Sequence, residues 1–177
     1  LPEVPDLAVL LIPGEALPAA IDACGQKGIG RIVIETGGFS EFGDERKCLE
    51  TDILKRARRW NIKVMGPNCV GIVNVEKGLA MPFYPLHPSE VKCGGISIIS
   101  QSGGIIHDLT MLCHMEGLGV CKLISVGNKL KLDENDFLEH LTGDPATDMI
   151  GLYLENIADG RRLMDIAAQS KKPIVFL

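Results

Sequence analysis

The sequence predicts an α/β protein built on parallel sheets with helices on both faces. Three observations carry this. Apolar runs of strand length alternate with helix-length amphipathic stretches along most of the chain. The connections between them are short, and 20 glycines with few aromatics supply the turns. The first apolar run, 7–12, is continuous rather than alternating, as in a strand buried on both faces.

Taken in order, Pro13-Gly14 ends that first strand. Pro18 then sits at an allowed first-turn position of a helix running to about Gln26, which Gly28 and Gly30 close. The spacing Gly25-x-x-Gly28-x-Gly30 resembles a dinucleotide fingerprint, but it follows a helix and precedes a strand, the wrong context for phosphate. Residues 31–36 form a second strand, with Gly37-Gly38-Phe39-Ser40 at its carboxyl end. A charged helix is expected over 41–61, with Leu49, Ile53, Ala57 and Trp60 as its buried stripe. Residues 62–65 form a third strand leading into Gly66-Pro67-Asn68-Cys69-Val70-Gly71. By position alone Cys69 reads as a buried structural thiol. The stretch 75–93 holds three of the ten prolines and no clean periodicity, so it reads as a linker.

A second α/β unit follows: strand 96–100, helix 103–116, strand 120–125, helix 134–142, strand 149–154, helix 159–169 and strand 173–177. In its first helix Ile105, Leu109, Leu112 and Leu118 are the expected apolar face, with Gly117 as the C-cap. Asp133 is the expected cap of the second helix, and Asp136 favours its first turn. The turn Ser100-Gln101-Ser102-Gly103-Gly104 joins an apolar strand to a helix. A helix N-terminus offers unpaired N–H groups and partial positive charge, so this turn suits an anion, most naturally a phosphate. Plain helix capping by serine is the competing reading, and the turn alone leaves both open. Ser125-Val126-Gly127-Asn128 and Tyr153-Leu154-Glu155-Asn156 end neighbouring parallel strands, so their polar groups are expected on the same edge. Glu155 reads first as a solvated loop carboxylate, but it is expected near the anion turn, where a bare carboxylate is unfavourable unless a cation or proton donor sits between.

Bulk properties narrow the function. Net charge is -5 and no basic run exceeds two residues, which argues against nucleic acid. No apolar run approaches the roughly 20 residues of a membrane span, and the start lacks a signal-peptide pattern. Six cysteines without a Cys-x-x-Cys pair, four of them in or beside apolar runs, read as buried thiols of a reducing, cytoplasmic compartment. His107 and Cys113-His114 share a helix without building a ligand cluster, so no metal site is expected.

Six motifs come in one order: Gly66-Pro67-Asn68-Cys69-Val70-Gly71, Ser100-Gln101-Ser102-Gly103-Gly104, Ser125-Val126-Gly127-Asn128, Asp144-Pro145-Ala146-Thr147, Tyr153-Leu154-Glu155 and Lys172-Pro173-Ile174-Val175. In that order and spacing the chain resembles the nucleoside-diphosphate-forming acyl-CoA synthetases. It is similar to the succinyl-CoA synthetase α-subunit and more so to the ADP-forming acetyl/acyl-CoA synthetases, which Phe39-Ser40-Glu41 with Gly43 also fits. The resemblance implies that residues 1–74 are the C-terminal part of a Rossmann-like CoA-binding domain. It makes 75–93 the linker and 94–177 a truncated flavodoxin-like domain. It implies interconversion of acyl-CoA, phosphate and ADP with acid, CoA and ATP, through an acyl phosphate and a phosphohistidine. The nucleotide, with its Mg, would bind an ATP-grasp partner subunit or domain. Ser100, Gln101, Ser102, Gly103 and Gly104 would hold the phosphate. Glu155 would orient and charge-balance the histidine. Gly37, Gly38, Asn68 and Cys69 would line the CoA site, although the turn lacks the carboxylate that succinyl-CoA synthetase has there.

Two departures matter. The family's first Gly-rich loop and the βα units around it precede the part matched here, and its phosphorylated histidine lies beyond Leu177. None of His87, His107, His114 or His140 occupies the histidine's place, and His107 reads as a helix-face residue. The segment is therefore expected to be inactive alone, to have unpaired strand edges and to associate with other pieces or copies. A non-catalytic CoA-binding or scaffold module of the same fold is the alternative. A flavodoxin-like FMN domain is a weaker one, since few aromatics are available to sandwich the flavin.

Overall fold

The computed structural model describes residues 2–39, 43, 46–81 and 91–177. The chain divides into two units, Leu1–Cys69 with Asn128–Leu132, and Val70–Gly127 with Asp133–Leu177.

The first unit is a parallel sheet of β1 (Ala8–Leu10), β2 (Arg31–Ile34) and β3 (Lys63–Met65), in that order, with helices α1 (Leu17–Lys27) and α2 (Lys47–Arg59). Pro18 lies in the first turn of α1, where its missing N–H costs nothing, and Gly28 ends the helix at φ 86°. Ile32, Ile34 and Val64 pack with Leu17, Ile21, Ile53 and Ala57 into one apolar core, which Leu49 and Trp60 border. The stripe expected on α2 is therefore the one buried. Residues 40–42, 44 and 45, which include Ser40, Glu41 and the expected start of that helix, lie outside the described residues. The two helices approach closely because residue 25 is glycine: a Cβ there would strike the Trp60 ring. Asp22 then accepts a hydrogen bond from Trp60 Nε1 at 2.7 Å and pairs with Arg56. Asn128–Leu132 runs antiparallel along β3, its alternate N–H groups donating to the carbonyls of Pro67, Gly66 and Val64.

The second unit is a six-stranded sheet. Its strands are β4 (Ile72–Asn74), β5 (Leu79–Ala80), β6 (Cys93–Ser100), β7 (Val120–Ser125), β8 (Met149–Tyr153) and β9 (Ile174–Phe176), in the order β5-β4-β7-β6-β8-β9. The last four in that order are parallel, and β4 and β5 add an antiparallel hairpin to the side of β7. The stretch expected to be a linker thus contributes β5 to the sheet, while 82–90, with His87, lies outside the described residues. Helices α3 (Gly103–Met115), α4 (Glu134–Gly143) and α5 (Gly160–Gln169) complete the parallel crossovers.

The buried face of α3 is Ile106, Thr110 and Cys113, with Leu109 at its border; Leu112 and Leu118 are about half exposed. This displaces the expected stripe. A Thr faces the core because its hydroxyl donates to the Ile106 carbonyl at 2.6 Å and so brings no unsatisfied group inside. At α4, Asp133 accepts from the N–H groups of Asn135 and Asp136, and Asp136 accepts from Asp133 in return, a complete capping box.

Candidate functional site

The carboxyl edge of the second unit's sheet is built from the ends of β6, β7 and β8. Ser100 is register partner to both Ser125 and Tyr153. The strand-to-helix turn begins at Ser100, which is fully buried. Its hydroxyl donates to the Ser102 carbonyl at 2.7 Å. Its carbonyl accepts from Val126 N. Ser100 is thereby committed to shaping the turn. Gln101 is similarly engaged: its backbone N donates to Tyr153 O at 2.9 Å, and its Oε1 accepts from the N–H groups of Glu155 and Asn156 at 3.1 and 3.2 Å.

Ser102 is the N-cap of α3, and its Oγ accepts from Ile105 N at 3.3 Å. That leaves its own O–H to donate elsewhere. The N–H groups of Gly103 and Gly104 open the helix and have no acceptor among the described residues. A Cβ on Gly103 would sit 2.5 Å from Val70 Cγ1, so the turn packs directly on the start of β4's connection. Gly104 is exposed, with its Cβ position essentially open. The turn therefore presents one hydroxyl and two amide donors at the positive end of a helix of 13 residues.

The other strand ends divide. Ser125 is buried and its hydroxyl accepts from Val70 N at 3.1 Å, so it ties down a connection. Asn128 belongs to the first unit, where it accepts from Asn68 Nδ2 at 3.3 Å and reaches Glu50. Glu155 is exposed at the end of β8, its backbone held by Gln101. His107 lies on α3 beside Asp108, His114 and His140 are exposed, and no group of three His, Cys, Asp or Glu among the described residues could hold a metal.

In the first unit the carboxyl edge is tied by Thr36, a residue that no sequence motif marks. Its hydroxyl donates to Ile12 O at 2.7 Å and accepts from Ile12 N, and its carbonyl accepts from Asn68 N. One residue thus fastens the ends of β1 and β2 to the loop after β3. Gly37 and Gly38 follow it; Gly38 has φ 94°, and Arg46 Nη1 donates to its carbonyl at 2.9 Å. Arg46, Glu15, Cys48, Leu49 and Asp52 line an open cleft. Asn68 is exposed at φ 56°. Cys69 is 2 % exposed and its thiol faces the Ile34 carbonyl at 3.3 Å, where it packs the loop from beneath. Gly66 above it admits no side chain, since a Cβ would strike that same carbonyl. Glu35, also missed, is buried at the end of β2 with Oε1 unpaired, and burial raises its pKa. None of the six cysteines forms a disulfide; four are buried as expected, whereas Cys48 and Cys93 are exposed, which corrects the expectation that all six are buried.

At the opposite end of the second unit's strands a polar network closes on itself. Lys122 Nζ donates to Asp144 Oδ2 at 2.6 Å, Thr147 Oγ1 donates to the same carboxylate at 2.6 Å, and Thr147 and Ser97 share a hydrogen bond of 2.8 Å. Lys172 Nζ donates to the carbonyls of Leu141, at 2.7 Å, and Asp144, where its charge suits the C-terminus of α4. Burial alone would raise the Asp144 carboxyl; the bonds from Lys122 and Thr147 outweigh it and hold the pKa at about 2.

Comparison with known proteins matches both units. A succinyl-CoA ligase like flavodoxin domain matches residues 93–177, and a CoA binding domain matches residues 1–75. The ADP-forming acetate–CoA ligase I of Archaeoglobus fulgidus is 37 % identical over the whole chain, which covers 26 % of that protein. The α-subunit of the Pyrococcus furiosus ADP-forming acetate–CoA ligase I is 35 % identical, again over the whole chain, which covers 38 % of it. The acetyl-coenzyme A synthetase 1 of Ca. Korarchaeum cryptofilum, solved in complex with phosphate and ADP, superposes with a TM-score of 0.92 at 35 % identity. It covers all of this chain, and this chain covers 38 % of it. The chain therefore spans between about a quarter and two-fifths of the length of these relatives. Among the described residues no helix is long and apolar enough to cross a membrane.

Proposed function

The chain belongs to the nucleoside-diphosphate-forming acyl-CoA synthetase superfamily, and from that premise we propose that it supplies part of the CoA site and the phosphoryl seat of a longer ADP-forming acyl-CoA ligase. The reaction interconverts acyl-CoA, phosphate and ADP with the free acid, CoA and ATP, by way of an acyl phosphate and a phosphohistidine.

The observation that carries this reading is the open turn at α3, where three donors have no acceptor among the described residues while the groups beneath them are paired. In this reading the Ser102 hydroxyl and the N–H groups of Gly103 and Gly104 donate to phosphoryl oxygens. The helix N-terminus stabilises the charge that these oxygens carry through transfer. Ser100 and Gln101 hold the turn in the shape that aims these donors outward. Glu155 accepts the ring N–H of the histidine, which fixes its tautomer and balances the imidazolium when it forms.

In the first unit, Gly37, Gly38 and Asn68 line the CoA path, Arg46 offers a cation beside them, and Cys69 supports the loop from below. The phosphate and ADP bound by the Korarchaeum synthetase, and the subunit organisation of the Pyrococcus ligase, support phosphate as ligand here and a partner subunit. That partner carries the nucleotide and its Mg on an ATP-grasp domain. Cysteines outside any disulfide suit the cytoplasm.

The test is to incubate the full-length ligase with γ-labelled ATP. Acid-labile phosphohistidine is expected, and Ser102→Ala is expected to slow its formation. An enzyme with an intact histidine loop that takes up no label would contradict the reading.

A further inference from the structure

The loop between β8 and α5 is exposed from Glu155 to Asp159. A surface loop of this kind has no reason of its own to hold one carboxylate in a fixed place. Its backbone, however, is gripped at three points by side chains from elsewhere in the same unit. Gln101 Oε1 accepts from both Glu155 N and Asn156 N. Glu134 Oε1 accepts from Ala158 N at 2.6 Å. Asn135 Nδ2 donates to Asp159 O at 3.3 Å, and the Asp159 side chain then caps α5 by accepting from Arg162 N.

Glu134 and Asn135 are both completely buried, although they open α4, where exposed polar residues are the rule. Burying a carboxylate and an amide is costly unless hydrogen bonds compensate. Capping does not account for it, because Asp133 and Asp136 already complete the capping box of α4. What their burial does achieve is a fixed path for the Glu155 loop. Gln101 closes the arrangement: its backbone lies in the anion turn and its side chain holds the loop, so the seat and Glu155 keep one relative position.

We infer that Gln101, Glu134 and Asn135 are positioning residues that hold Glu155 in register with the open donors of Ser102, Gly103 and Gly104. The inference rests on the proposed role of Glu155 toward the histidine. It assigns the Gln101 side chain to the loop, through an oxygen that accepts and therefore does not ligate an anion.

A double-mutant cycle in the full-length ligase tests it, reading single-turnover histidine phosphorylation together with the thermal midpoint and the KM for CoA. Glu134→Ala is expected to lower the transfer rate about tenfold with the KM for CoA unchanged. Glu134→Gln, which keeps an acceptor oxygen, is expected to restore most of the rate. In a Glu155→Gln background, Glu134→Ala is expected to cost less than about twofold more, because its effect runs through Glu155. Gln101→Ala repeats the cycle in case Glu134→Ala fails to fold. Full additivity of either variant with Glu155→Gln overturns the inference while leaving the role of Glu155 standing. A Glu155→Gln enzyme that transfers at the unaltered rate overturns both.

Discussion

Ser97 lies within β6 and Ser102 caps the helix that follows it, yet the fold uses them in opposite ways. Ser97 is completely buried, and its hydroxyl is shared with Thr147, which in turn bonds the carboxylate that holds Lys122. Every group in that chain finds its partner inside the unit. Ser102 accepts one bond from the helix it caps, and among the described residues neither its hydroxyl proton nor the N–H groups of the two glycines after it meet an acceptor. The first region is closed and contributes to stability. The second leaves donors open among the described residues and, in the proposed reading, contributes chiefly when a ligand arrives. Substitutions in the two regions should therefore separate cleanly into losses of stability and losses of function.

The largest effect is expected in the closed region. Asp144→Ala leaves Lys122, whose side chain is 10 % exposed, without its counter-charge. A broken buried pair of this kind costs about 3–5 kcal/mol, read by urea unfolding. Replacing both partners by apolar residues is expected to recover much of that loss. A single Asp144→Ala that unfolds at the unaltered midpoint would break the contrast between the regions.

Acid should probe the same region more gently. The Asp144 pKa falls from 3.8 to about 2 on folding. Because the folded value is the lower one, the stabilisation is complete above about pH 4 and disappears as pH falls toward about 2. The gap corresponds to about 2 kcal/mol. A pH series of unfolding midpoints for the unaltered protein and Asp144→Asn should converge at the acid end. Parallel curves down to pH 2 would assign the acid sensitivity to other carboxylates.

Smaller effects on stability are expected in the open region. Ser102→Ala removes a cap bond worth about 1 kcal/mol. Ser102→Gly costs only about a few tenths of a kcal/mol, since glycine caps nearly as well. Both remove the same hydroxyl proton. The two variants are thus expected to lose phosphate-dependent activity equally while differing in thermal midpoint. If activity follows the midpoint instead, the hydroxyl serves the helix and not a ligand.

The sequence announces the open region well and the closed one poorly, for a physical reason. A Ser-rich, Gly-rich turn after an apolar strand has a local signature, because the chain must bend tightly and start a helix there. Lys122 in a strand looks like a solvated residue until Asp144 is brought to it by topology. The same limit explains α3. Ile105, Leu109, Leu112 and Leu118 are all apolar, so periodicity alone does not choose between adjacent faces, and Thr110 reaches the core through a bond to its own helix. β5 escapes notice because two residues carry no pattern. In the first unit, Thr36 is legible only once three loop ends meet at its hydroxyl and carbonyl.

The most direct test is the KM for phosphate of the full-length ligase carrying Ser102→Gly. A hydrogen bond to a charged group contributes about 1.5–3 kcal/mol, so a rise of about tenfold or more in that KM is predicted, with the KM for CoA and the thermal midpoint essentially unmoved. An unchanged KM for phosphate would contradict the assignment of the α3 turn as the phosphoryl seat.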